Sequence, residues 1–220
     1  MRRVALPTAI AAVVIPLAAL AYGASSHPAS QHTKLGRVSH RAIARAAQAG
    51  AVSTEQRALG VLRRDTTADD AMPSQLAGKL RTIAIDGANP DLARRIRIAG
   101  VGDYYVVPGA NNYVCLFDSG GAGGCSPASE AVAGHIVLAD ACRAADLVRV
   151  AGILPDGTRS AKVSSEGGDT SVAFAGNVYA LDIPKQSAGT SRVSWGASDG
   201  QAEGIAVPDT TADPKLNCPH

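Results

Sequence analysis

The chain reads as a mainly β protein with an N-terminal helical segment, its strands forming an antiparallel β-sandwich or barrel. Two observations carry this. The hydrophobic period changes near Asp91, from about 3.6 before it to 2 after it. Beyond that point short β-rich runs recur, separated by Gly, Pro or Asp-Gly breaks. That is the spacing of an antiparallel sandwich or barrel.

The first 23 residues read as an export signal. Arg2 and Arg3 precede an uncharged apolar stretch, Leu6 to Ala21, and small residues around Ala19 to Ala24 offer cleavage sites near Gly23. The rival reading is a retained membrane anchor. Pro7 and Pro16 interrupt the stretch, and it is shorter than the ~20 apolar residues a spanning helix needs. No Cys follows it for a lipid anchor, and no later stretch is long enough to span. The expected location is therefore secreted or cell-surface. Membrane contact is expected only through this segment, if it is uncleaved.

Residues 24–52 read as a linker, with Ala24 to Gly36 rich in Ser, Ala, His and Pro and without an apolar period, and a candidate short helix over Arg41 to Gln48. Residues 53–85 read as a helical segment. Ser53 with Gln56 three residues on is a capping box, followed by Leu59, Val61 and Leu62 and ending in Arg63 and Arg64. Leu76, Leu80 and Ile83 give a second helix-like period after Met72.

Residues 86–220 form the β-rich domain. Arg95-Ile96-Arg97-Ile98 alternates as a half-buried strand does. Tyr104 to Val107 and Tyr113 to Phe117 flank Pro108-Gly109-Ala110-Asn111 and suggest a hairpin. Ser126-Pro127 looks like a helix start, with Ser as cap and Pro at the first position, running to about Ala133. His135 to Ala139 is a strand candidate. Leu147 to Leu154, the turn Pro155-Asp156-Gly157 and Thr158 to Val163 read as a second hairpin. Further strands are expected at Ser171 to Ala175, Val178 to Ile183, Arg192 to Trp195 and Gly204 to Val207, with the lone Trp195 in the core.

With the signal removed, roughly 200 residues remain, enough for one sizeable core or two small ones. Charge is unevenly placed. From Ala24 to Gly100 there are 12 Lys/Arg against 6 Asp/Glu, and from Val101 to His220 there are 7 against 13. The basic half could meet anionic lipid or wall polymer, or simply be a solvated helical surface. Nucleic acid is not expected as a partner, because the basic residues are not interleaved with aromatics. The ligand is not legible; a cell-wall polymer or an envelope protein is the expected kind of partner.

Cys115, Cys125, Cys142 and Cys218 are an even number in an exported chain and allow three pairings. Cys115 and Cys125 bracket a Gly-rich loop, Leu116 to Gly124, and are the easiest to join. Cys142 is then left for Cys218. The spacings do not fit a zinc site, and no metal or cofactor is expected.

One ordered set of segments stands out: Leu62-Arg63-Arg64, Thr67-Ala68-Asp69-Asp70, Val106-Val107-Pro108-Gly109, Gly152-Ile153-Leu154-Pro155-Asp156-Gly157 and Asn177-Val178-Tyr179. In this order it resembles a group of uncharacterised exported proteins of high-GC Gram-positive bacteria, over about Leu59 to Asp199. The resemblance implies export and a β-rich region; it carries no activity.

Asp118-Ser119-Gly120-Gly121 echoes the nucleophile loop of chymotrypsin-like proteases, where a Ser needs a His base and an orienting Asp. Phe117 stands where that loop has Gly, and His27, His32, His40, His135 and His220 lack a matching setting. Asp140, Asp146, Asp156 and Asp182 are scattered and define no glycosidase pair. The expectation is no catalytic residue and a non-enzymatic binding or structural module. The alternative is a secreted serine hydrolase using Ser119.

Overall fold

A computed structural model of the chain describes residues 52–141, 146–196 and 202–209. The export segment, the linker helix, Cys142 and Cys218 lie outside the described residues. Among the described residues no helix is long and apolar enough to cross a membrane.

Among the described residues, twelve strands form three antiparallel four-stranded sheets, none closed into a barrel. The first sheet runs in order through β1 (Arg94–Ile98), β2 (Gly102–Pro108), β3 (Tyr113–Asp118) and β4 (Gly123–Pro127). The second joins β5 (Val137–Asp140), β6 (Leu147–Ile153), β10 (Val178–Pro184) and β9 (Phe174–Ala175), in that order. The third has the order β12 (Ala202–Ala206), β11 (Arg192–Gly196), β7 (Ser160–Ser165) and β8 (Gly168–Ser171). The α-helices among the described residues are α1 (Gly60–Arg63), α2 (Ser74–Ile83) and α3 (Ala128–Val132).

Side-chain alternation sorts the strands into layers. Tyr105 and Val107 of β2 pack with Phe117 of β3 against Met72, Leu76 and Leu80 on and beside α2. Tyr104 and Val106, on the opposite face of β2, meet Ala151, Ile153, Val178 and Ala180 of the second sheet. Val148, Val150 and Tyr179 of that sheet face Val163, Val193 and Trp195 of the third. Two sheets are thus covered on both faces. That is why Tyr104 to Val107 and Val148 to Leu154 read as apolar runs with little alternation. Each fully buried Leu, Ile or Val side chain in these layers contributes about 1.5–3 kcal/mol.

The fold is the mainly β, sandwich-like one that the strand spacing predicts. The first hairpin is present, with Tyr104 opposite Asp118 and Val107 opposite Cys115. Trp195 is buried, as expected. Cys115 and Cys125 are disulfide-bonded and lie directly opposite each other in β3 and β4. Peptide mapping without reductant should therefore recover the 115–125 pair. Reduction should lower stability by about 2–3 kcal/mol, from the loop-closure entropy of so short a loop.

Several expectations need correction. The Pro155-Asp156-Gly157 turn does not close a hairpin. Strand β7 pairs with β11 and β8, while both edges of β6 are occupied by β5 and β10. With no free edge beside β6, the chain turns a corner into the next sheet. Ser171 to Ala175 is likewise split, with β8 in the third sheet and β9 in the second. The Gly-rich loop is largely strand. A Cβ on Gly123 would collide with Leu116 O and the Phe117 backbone and ring, so glycine is what lets β4 lie against β3. Ser126 and Pro127 end β4, and Pro127 rather than Ser126 is the residue before α3.

The Ser53–Gln56 capping box forms, with Ser53 N donating to Gln56 Oε1 at 2.9 Å and Gln56 N to Ser53 Oγ at 3.1 Å. The helix it opens is a single 3-10 turn, broken where Leu59 becomes extended and enters the core. Ile83 ends α2 on the solvent side, 48 % exposed, instead of continuing its apolar face.

Candidate functional site

Ser119 sits in the tight turn joining β3 to β4. Asp118 N donates to Ala122 O at 2.9 Å, and Ala122 N returns a bond to Asp118 Oδ1 at 2.9 Å. The Ser119 amide donates to Asp103 O at 3.1 Å. His135 lies 3.0 Å from Glu130 beside α3, and no hydrogen bond joins it to Ser119. His27, His32, His40 and His220 lie outside the described residues. Among the described residues no group of three or more His, Cys, Asp or Glu side chains is arranged to hold a metal ion.

The residues that the structure does bring together are those of the ordered motif set. They converge on the segment from Val52 to Asp70, which lies across the sandwich. Helix α1 is too short to satisfy its own N-terminal amides. Asp156 Oδ1 accepts Gly60 N at 2.8 Å, and Asn177 Oδ1 accepts Val61 N at 2.9 Å. Asn177 Nδ2 in turn donates to Asp156 Oδ1 at 2.7 Å and to Leu154 O at 3.0 Å, and Arg63 pairs with the other Asp156 oxygen. Two residues distant in sequence therefore cap the helix. Burial works to raise the Asp156 pKa, but its bonds to Asn177, Gly60 and Arg63 hold it below the usual carboxylate value. At the other end of the segment, Gln56 Nε2 donates to Gly109 O at 2.9 Å and to Tyr113 O at 2.6 Å.

Asp70 is the second clasp, 4 % exposed. Its carboxylate accepts Arg64 through both oxygens, at 2.6 and 2.5 Å. It also accepts Thr67 N at 2.8 Å, Thr67 Oγ1 at 3.0 Å and Arg95 N at 2.8 Å. Burial opposes the charged form, yet Arg64 and the Thr67 and Arg95 amides hold the pKa far below the carboxylate range. Arg64 also donates to Arg95 O at 3.2 Å. The pair thereby occupies the outward N–H and C=O of an edge strand, a position that otherwise invites another chain. Arg94, buried beneath, donates to Arg64 O at 2.9 Å, at the C-terminus of α1, and to Leu92 O at 2.7 Å.

A third polar cluster lies between the first two sheets. Arg149 is paired through two nitrogens with Asp182, its cross-strand partner, at 2.5 and 2.7 Å, and donates to Tyr104 Oη at 3.3 Å. The bond to Asp182 raises its pKa despite burial. A cavity of about 100 Å³ beside it is lined by Tyr104, Asp118, Asp140 and Leu138 among others. It brings Asp118 and Asp140 to one place, but no base for Ser119.

Sequence reasoning reaches Gln56 only as a local cap and Asn177 only as part of the ordered motif set, and it misses Arg149. Arg149 had a legible signal, a lone charge inside a β-rich apolar run. Asn177, next to Gly176, is indistinguishable in sequence from a turn residue.

No protein-family model matches the chain, and no curated protein or solved structure is similar to it.

Proposed function

We propose that this is an exported cell-envelope or secreted protein that acts as a non-enzymatic binding or structural module. The observation that carries the proposal is the use made of its polar motif residues. Arg63, Arg64, Asp70, Asp156 and Asn177 are bonded to one another and to backbone groups, fastening a segment onto a rigid scaffold. A group held in that way is poised to position a surface, whereas a nucleophile needs a base within hydrogen-bond reach. The Cys115–Cys125 disulfide is compatible with an extracytoplasmic location. The charged and apolar start of the chain and the resemblance to exported actinobacterial proteins point the same way.

Two measurements test this. The exported protein should begin near Gly23 and co-sediment saturably with isolated cell envelopes. Recovery in the cytoplasmic fraction with Met1 retained overturns export, and failure to sediment overturns envelope binding. A fluorophosphonate probe should leave the protein unlabelled. Labelling that is lost in Ser119→Ala would establish the hydrolase in its place.

A further inference from the structure

The outer edge of β1 forms the floor of a groove of about 450 Å³ lined by Arg64, Thr67, Asp69, Asp70, Arg95 and Arg97. Arg64 also lines the neighbouring cleft of about 440 Å³ that holds Arg63, so four guanidinium groups follow one continuous track. All four pair with carboxylates that are the less exposed partners, Arg95 and Arg97 sharing Asp103. The Arg64 side chain is 40 % exposed against 5 % for Asp70, and Arg97 is 70 % exposed against 21 % for Asp103. Arg63 likewise lies outside Asp156. The carboxylates face inward and orient the guanidinium groups. Arg64 spends both terminal nitrogens on Asp70, Asp65 O and Arg95 O, and Arg63 spends Nη1 on Arg57 O and Ala58 O. Arg97, bonded through Nε to Asp103 and 70 % exposed, is therefore the most open of the four.

The backbone adds a donor. Asp103, across from Arg97, turns its carbonyl away to Ser119 N, so this pair exchanges no ladder bond. Arg97 N–H therefore points outward into the groove, two residues beyond the Arg95 N–H that Asp70 occupies. Arg95 pairs with Asp103 through Nη2, while its Nε is buried beneath the groove without a partner. Planar guanidinium donors beside an outward amide match the oxygens of phosphate and carboxylate groups. The elongated track suits a chain of such groups better than a single ion.

We propose that this arginine track binds an anionic polymer through its phosphate or carboxylate oxygens. The proposal deepens the binding-module reading and rests on it for its biological setting; the binding itself is measured on purified protein and is independent of export. A second copy of the chain is a poor occupant, because pairing β1 with itself would set Arg95 and Arg97 against like charges. Asp69 is the exposed carboxylate on the rim and opposes binding.

The test follows amide resonances of the protein during titration with inorganic phosphate, a short polyphosphate, poly-L-glutamate, neutral dextran and phosphatidylglycerol vesicles. Shifts centred on Arg95 to Arg97 are expected with either polyanion. Inorganic phosphate should bind more weakly at the same place, because it makes only one set of contacts. Raised salt should weaken all of them. Response to polyphosphate alone or to poly-L-glutamate alone assigns the source of the oxygens. Arg97→Gln, at an exposed position, should weaken polyanion binding several-fold, and Asp69→Asn should tighten it. Absence of shifts at β1, equal response to dextran, preference for vesicles over soluble polyanion, or indifference to both substitutions overturns the proposal. Envelope sedimentation that survives Arg97→Gln would place envelope binding elsewhere on the molecule without touching the module reading.

Discussion

Gly152→Ala is expected to cost at least about 3 kcal/mol and to yield a chain with little native core. Gly152 is the last residue but one of β6, a strand flanked by β5 and β10 and packed on both faces. A Cβ there would stand 2.5 Å from Tyr179 Oη, 2.6 Å from Tyr179 Cε1 and closer still to Ile136 O. The ring of Tyr179 is fully buried and the carbonyl of Ile136 is backbone, bonded to Ile153 N, so neither can move aside cheaply. Urea unfolding followed by the fluorescence of Trp195 measures this directly. That residue is the only tryptophan and is 2 % exposed, so its emission shifts red when the core opens. Gly78→Ala is the matched control. Gly78 lies inside α2 with open space where its Cβ would be, and alanine there should stabilise by about 0.5–1 kcal/mol. Equal effects of the two substitutions would refute the packing account.

Asp70→Ala is the second large effect, about 2–4 kcal/mol, because it leaves the Thr67 and Arg95 amides without their acceptor, while the part-exposed Arg64 is solvated instead. The pH dependence follows from the depressed pKa. The carboxylate is charged and bonded in the folded protein well below the pH at which it protonates in the unfolded chain. Its contribution is therefore complete above about pH 4, the unfolded value, and is lost as pH falls towards the folded one. Asp156, shifted in the same direction, adds a smaller loss over the same range. Unfolding free energies between pH 3 and 7 should fall steeply with acid for the native protein and more shallowly for Asp70→Ala. Parallel curves would show that the Asp70 charge carries no stability.

Much of the β architecture was legible because it rests on local chemistry. The alternation of Arg95 to Ile98 placed the isoleucines in the core and the arginines outside. Pro108 to Asn111 supplied turn residues, and Asn111 and Asn112 do adopt positive φ. Cys115 and Cys125 were close in sequence, so their pairing needed only a tight reversal between them. Where expectation failed, local chemistry was the wrong guide. Pro155-Asp156-Gly157 has the residues of a hairpin turn, yet the partner of β7 was decided by which strand edges remained free.

By itself, then, the sequence determined the class of fold, most strand positions, the short disulfide and the burial of Trp195, all set by periodicity, turn residues and short-range spacing. Only the tertiary structure decided how the strands divide among three sheets, and what the ordered motif residues do. Asp156 and Asn177 cap a helix 96 and 116 residues earlier in the chain. Asp70 and Arg64 occupy the edge of a strand some 25 to 31 residues later. The physical reason is that a buried charge or amide is defined by its partner. Unpaired backbone groups at helix starts and strand edges can be satisfied by any polar side chain that the packing of apolar layers brings within 3 Å, whatever its distance along the chain.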